Sequence, residues 1–254
     1  MTTWFQAELE RFLPRPGAPP KALARFHDGE CKILEGKPYE AKSGWTTYGN
    51  CWLRSRLEQS LRADLDGYFV GISPPCDWPE GTAVMLPMTA GKHRCTFATI
   101  FWHANYPRVQ HELEKGSLRG AAVVSSSGGH YTVPARGAVE PWDIDALVTE
   151  LLDEERTILV SAGPCACIIV HQYWLRCPPE RRQTILDIGS AVDYLTKPGE
   201  ATRHYAEANS PYRNHHCSWN QSAPWGRKKG KRKPRGWKGH LWKNAKQNPG
   251  QGSS

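Results

Sequence analysis

The chain has 254 residues, long enough for one α/β domain with a full core plus an extension. Its 33 Lys and Arg outnumber its 25 Asp and Glu, but the excess is local: residues 208–254 hold 11 Lys and Arg and no acid, leaving residues 1–207 with 22 basic and 25 acidic side chains. A mildly acidic body with a strongly basic end points to a polyanionic partner for that end, and the lack of any apolar run near the roughly 20 residues of a spanning helix argues against a membrane protein.

In chain order, Trp4, Phe5, Leu9, Phe12 and Leu13 recur at helical spacing behind Thr2 and Thr3, and PRPGAPP ends that helix. ALARF, residues 22–26, reads as a short strand that delivers Asp28 and Glu30 to its carboxyl end. Asn50 is a cap for a helix whose Leu53, Leu57, Leu61 and Leu65 form one core-facing row. GYFVGIS reads as a buried strand and PPCDWPEGT as the loop after it. Residues 93–114 read as helical on both sides of Pro107, which should kink or break them.

GAAVVSSS predicts a strand, HYTVPA another, and WDIDALVTELLDEE a helix with Ile144, Leu147, Val148, Leu151 and Leu152 on one face. RTILVSAG is the clearest strand; it turns at Gly163 into the apolar helix PCACIIVHQYWL, with Pro164 in the first turn, and QTILDIGSAVDYL supplies the last strand. Strands alternating with helices predict a mostly parallel sheet covered on both faces. The expected division is one domain over residues 1–207 and a largely disordered basic extension over 208–254. The 8 cysteines form no C-x-x-C pair, several lie in apolar runs, and the amino terminus shows no basic-then-apolar leader, so the expectation is a soluble protein in a reducing compartment.

Two carboxylates at i and i+2 repel unless solvent or a cation separates them. A hard divalent ion, Mg²⁺ or Mn²⁺, takes oxygen ligands while bridging the oxygens of a diphosphate, and the small Gly29 between Asp28 and Glu30 lets phosphate approach. A solvated loop is the alternative for this pair. SAGPCAC has neither the GxGxxG fingerprint nor a Walker ending; Gly163 serves either a phosphate at the following helix amides or tight strand-to-helix packing.

RFHDGE resembles the RFGDGE signature of bacterial glycosyltransferases with the GT-D fold, a Rossmann-like variant, and TILVSAGPCACIIVHQYWLRCPPERRQTILDIGSAVDYL resembles that family's later strand, glycine turn, helix and "DIG" strand. The two blocks and their order span about residues 20–200. The resemblance implies a Rossmann-like α/β domain that uses a nucleoside-diphosphate sugar, with Asp28 and Glu30 on the metal and Arg25, Gly29, Gly163, Asp187 and Gly189 around the donor. His27 stands where the family has glycine, and residues 75–140, where acceptor contacts are expected, do not align.

Glycosyl transfer needs a base for the acceptor hydroxyl. Asp77, His93, His103 and Glu112 are candidates, and His103, among the aromatics of FWHANY, is the one chosen; the polar face of a buried helix is its alternative. Arg203 and Arg213 suit phosphate contacts, and His215, His216 and Cys217 are a weaker zinc set with no C-x-x-C complement.

The extension interleaves Arg227, Lys228, Lys229, Lys231, Arg232, Lys233 and Arg235 with Trp237 and Trp242, pairing phosphate neutralisation with base stacking, against the alternative of a solubilising tail. The expected activity is transfer of sugar to a hydroxylated (hydroxymethyl) base in phage DNA, in the cytoplasm of a bacterial or phage-infected cell. The alternatives are a cell-surface or protein glycan acceptor, and a non-catalytic nucleic-acid-binding protein on a degenerate transferase scaffold.

Overall fold

The computed structural model describes residues 9–40, 46–47, 51–72, 79–89, 95–96, 106–134, 141–192 and 196. These all belong to the first of the two units into which the chain divides, Met1–Ser222 and Ala223–Ser254. After a helical segment at residues 9–12 come β1 (Ala22–Phe26), α1 (Asp28–Leu34), β2 (Tyr39–Glu40), β3 (Thr46–Thr47), α2 (Cys51–Leu61) and β4 (Tyr68–Ile72). Then follow α3 (Pro79–Met85), β5 (Cys95–Thr96), α4 (Tyr106–Glu114), β6 (Ala122–Ser125) and β7 (Tyr131–Thr132). The chain continues through α5 (Ile144–Leu151), β8 (Ile158–Ser161), α6 (Cys165–Arg176) and β9 (Ile185–Asp187).

Seven strands join in the order β5-β4-β1-β9-β8-β6-β7, and every neighbouring pair is parallel. β2 and β3 form a separate antiparallel pair. The two-residue period of a strand splits the side chains between two cores. Ala22, Ala24, Phe26, Ile158, Val160 and Ile185 face a core shared with α1, α2, α5 and α6. Leu23, Leu159 and Leu186 face another, built with Leu9, Phe12 and Leu13 and with Val109 and Leu113 of α4. The sheet is therefore covered on both faces, as the alternation of elements predicts.

Helix α6 is buried almost all round because the sheet lies on one side and α2 and α5 on others. Ser60 on α2 ties it down: its Oγ donates to the Cys167 carbonyl at 3.1 Å and lies 2.7 Å from the Tyr68 hydroxyl. Leu53, Leu57 and Leu61 are buried as the row predicts, whereas Leu65 falls beyond the helix end and is half-buried.

Three expectations are corrected. Residues 93–114 are not one broken helix: Cys95 and Thr96 pair with Val70 and Gly71 as edge strand β5. Pro107 lies in the first turn of α4, where its missing N–H leaves no helical bond unmade. PPCDWPEGT is helical from Pro79 onward. The acids Asp28 and Glu30 do not stand in a loop but open helix α1 directly after β1.

Adjacent strands β1 and β9 send the chain to opposite faces. After β1, Cys31, Ile33 and Leu34 of α1 enter the first core; after β9, Ala191 and Val192 enter the second. In open parallel sheets ligands bind beyond the carboxyl ends of strands at such a divergence, which makes the ends of β1 and β9 the place to look for a site. Among the described residues, no helix is long and apolar enough to cross a membrane.

Candidate active site

The divergence point gathers Arg25, Asp28, Gly29 and Glu30 from the end of β1 with Asp187 and Gly189 from the end of β9. His27 is the N-cap of α1, and Glu30, three residues on, turns back to accept from the His27 amide through Oε2 at 2.8 Å. That is the glutamate half of a capping box, and it leaves Glu30 only 8 % exposed. Burial raises the Glu30 pKa against the pull of its backbone N–H contacts and of Arg25.

Asp28 has the opposite setting. Its side chain is 58 % exposed, with Oδ1 3.1 Å from Nδ1 of His27. Partial burial acts to raise its pKa, but the His27 contact and the charges of His27 and Lys32 outweigh it and hold the carboxyl below its ordinary value.

Asp187 is the buried hub. Its Oδ1 accepts from the Gly189 amide at 3.0 Å and its Oδ2 from the Arg25 amide at 3.3 Å. The Arg25 Nε lies 3.9 Å from Oδ1. Burial pushes the Asp187 carboxyl up to about 6, Arg25 pulls it back, and the nearby Glu30 pushes the same way as burial. Gly189 has φ +51°, and a Cβ there would meet the Arg25 guanidinium, whose Cζ would lie 2.6 Å away. The left-handed backbone favours glycine there, and a side chain would also push the Arg25 guanidinium aside.

Gly163, with φ +56°, follows β8 and opens the turn into α6. β8 and β9 are neighbours in register, Val160 opposite Asp187, so this turn borders the same edge. Cys167, which the sequence did not single out, reaches the site from α6: its Sγ donates to the Arg25 carbonyl at 3.1 Å and lies 3.9 Å from Asp187 Oδ2. Burial, followed by Asp187, pushes its thiol well up, so it stays protonated and acts as a donor. Nothing in CACIIV marks it, because its partners are more than a hundred residues away or on another element.

Among the described residues, no group of three or more His, Cys, Asp or Glu side chains is disposed to hold a metal ion. A hard divalent ion that keeps its waters and shares phosphate oxygens needs only one or two carboxylates. Asp28 fits that need; Glu30 has one oxygen committed to the His27 amide. The donor set therefore suits an ion carried in with a diphosphate better than a protein-only cage.

Glu112 is buried in α4, where its Oε2 accepts from Ser117 N at 2.8 Å and from Ser117 Oγ at 3.0 Å, which commits it to its own loop. Asp77, His93, His103, Arg203, Arg213, His215, His216 and Cys217 lie outside the described residues. So do Arg227, Lys228, Lys229, Lys231, Arg232, Lys233, Arg235, Trp237 and Trp242.

No protein-family model matches the chain, and no curated protein does. Among solved structures, one described as a new glycosyltransferase (DUF1792) from Streptococcus sanguinis is 15% identical with a TM-score of 0.44, covering 80% of this chain and 88% of that one. Another, of the domain of unknown function 1792 and described as having a distinct glycosyltransferase fold, is 16% identical with a TM-score of 0.43, covering 69% and 75%.

Proposed function

We propose that this chain is a glycosyltransferase that moves sugar from a nucleoside-diphosphate sugar to a hydroxyl acceptor. The observation that supports it is the convergence of exposed Asp28, half-buried Arg25 and the Asp187–Gly189 turn at the carboxyl ends of β1 and β9. The RFHDGE and DIG motifs supply exactly those positions in sequence terms, at residues 25–30 and 187–189.

Asp28 would hold Mg²⁺ or Mn²⁺, with Glu30 offering the oxygen not bonded to His27. The ion would neutralise the departing diphosphate. Arg25, oriented by Asp187 and seated over Gly189, would bind the phosphates, since a guanidinium fork matches their oxygens. Gly29 leaves room for their approach, and the Gly163 turn closes the same edge. His103 is the proposed base for the acceptor proton.

The acceptor in this reading is a hydroxylated base in phage DNA. The basic, tryptophan-bearing extension motivates that choice, because a tethered cationic segment raises the local concentration of a polyanion. The test is mass spectrometry of nucleosides from hydroxymethylated DNA incubated with a panel of nucleotide sugars and Mn²⁺ or Mg²⁺. A hexose or pentose mass on a nucleoside, lost in Asp28→Asn, is the expected result. No sugar on DNA, together with transfer to a small glycan that survives deletion of residues 226–254, would move the acceptor to a glycan.

A further inference from the structure

A second concave site lies at the other end of the same strands. Lys21 precedes β1, Thr157 precedes β8 and Thr184 precedes β9, and all three line a cavity of about 200 Å³. Because the strands are parallel, this is the amino edge of the sheet, separated from Asp28 by the five residues of β1, roughly 16 Å at 3.3 Å per residue.

The cavity joins an apolar wall to a basic one. Pro19 and Pro20 contribute carbon surface; Lys21 and Arg182 contribute charge; Thr157 and Thr184 contribute hydroxyls. Among the described residues that line it there is no carboxylate. Arg15 also lines it, but Glu10 Oε2 is 3.1 Å from its guanidinium and offsets that charge. Arg182 is different: it donates to the carbonyls of Cys177 and Trp174, each at 3.1 Å, and lies 4.7 Å from the Trp174 ring centroid. Those bonds fix the guanidinium without cancelling its charge. Lys21 Nζ is held in turn by the Arg11 carbonyl at 2.6 Å.

We propose that this cavity binds a small organic anion, a phosphate or carboxylate group on a compact sugar-sized body, at a site separate from the Asp28 edge. The anion would meet Lys21, Arg182 and the threonine hydroxyls, and its body would lie on Pro19 and Pro20. The volume sets the size: it is below the roughly 300–1,000 Å³ of drug-sized pockets.

The test uses the full chain, ¹⁵N-labelled, titrated with ribose 5-phosphate at constant ionic strength and, in parallel, with neutral ribose. Saturable amide shifts at Lys21, Thr157, Gln183 and Thr184 with the phosphate and not with ribose are expected. Lys21→Gln should weaken that binding by about tenfold, the scale of one charge-assisted contact. Thr157→Glu, which puts an anion in the cavity, should abolish it. Phosphate gathered by the basic extension would instead shift amides of residues 227–246. Shifts confined to that extension, equal response to ribose, or wild-type affinity in either folded variant would overturn the proposal. The outcome is independent of whether the chain transfers sugar.

Discussion

Strands β1 and β9 end in opposite chemistry. At their carboxyl ends stand the acids Asp28, Glu30 and Asp187, with Arg25 beside Asp187; at their amino ends Lys21 and Arg182 line a cavity with no carboxylate among its described lining residues. The contrast shows what a parallel sheet does with sequence. Every strand exits on one edge, so residues 25–30 and 187–189, far apart in the chain, become neighbours there. Their acids are crowded and partly buried, which raises Glu30 and Asp187, while the amino-edge Arg182 is held by neutral carbonyls. One edge gathers acids with a single arginine, the other gathers bases.

The most severe break of this contrast is Asp28→Asn. If Asp28 holds the ion, donor turnover should fall about a thousandfold, the scale of removing a group that stabilises transition-state charge. The unfolding free energy from urea denaturation should change by no more than about 1 kcal/mol, since the side chain is more than half exposed.

Next in size is the floor beneath both edges. His171 on α6 is buried against Tyr68, its Nδ1 has no hydrogen-bond partner among the described residues, and burial, with the charge of Arg56, pulls its pKa to about 4. The unfolded chain takes up this proton first, near pH 6.5, so stability should fall as pH drops from about 6.5 to 4. The full effect approaches about 3 kcal/mol. Asp187 works the other way: with a folded pKa near 6, it retains its proton longer in the fold, and its contribution rises on acidification from 6 towards 4. His171→Leu should therefore flatten or reverse the loss, measured by urea denaturation at pH 7, 5.5 and 4.

Asp187→Asn sharpens the carboxyl edge specifically. An amide has one oxygen, so it cannot accept from both the Gly189 and Arg25 backbone N–H groups. Leaving one unsatisfied should cost about 1–3 kcal/mol in chemical denaturation. Gly189→Ala should cost about 1–2 kcal/mol for its left-handed backbone and should also drive Arg25 off Asp187. The smallest change is Lys21→Gln, whose effect on the unfolding free energy should stay within about 0.5 kcal/mol while anion binding at the amino edge weakens.

Much of the frame was readable before any coordinates. ILV of β8 and IL of β9 are short apolar runs followed by turn residues, as strands buried on both faces must be, and α5 shows its face through Ile144, Leu147, Val148 and Leu151. The parallel order then places Asp28, Gly163 and Asp187 on one edge without further information. Helix α1 was hidden because it spans seven residues, too few for a period, and because its N-cap is His27 rather than Ser or Thr. Glu30 three residues after that cap, ahead of Cys31, Ile33 and Leu34, was the available signal. β5 is two residues long and owes its form to pairing with β4, which no local pattern encodes. The Cys167 contact and the fit of Arg25 over Gly189 are products of tertiary packing and left no trace in spacing.

The role proposed for Asp28 is to bring a divalent ion and a diphosphate together at the carboxyl ends of β1 and β9. It is tested most directly by calorimetric titration of Mn²⁺ into the full chain in the presence of UDP, GDP, ADP or dTDP, compared with Asp28→Asn. Uptake that requires the nucleotide, and weakens by about tenfold or more in the variant, is predicted. Identical Mn²⁺ uptake by both proteins with every nucleotide would contradict it.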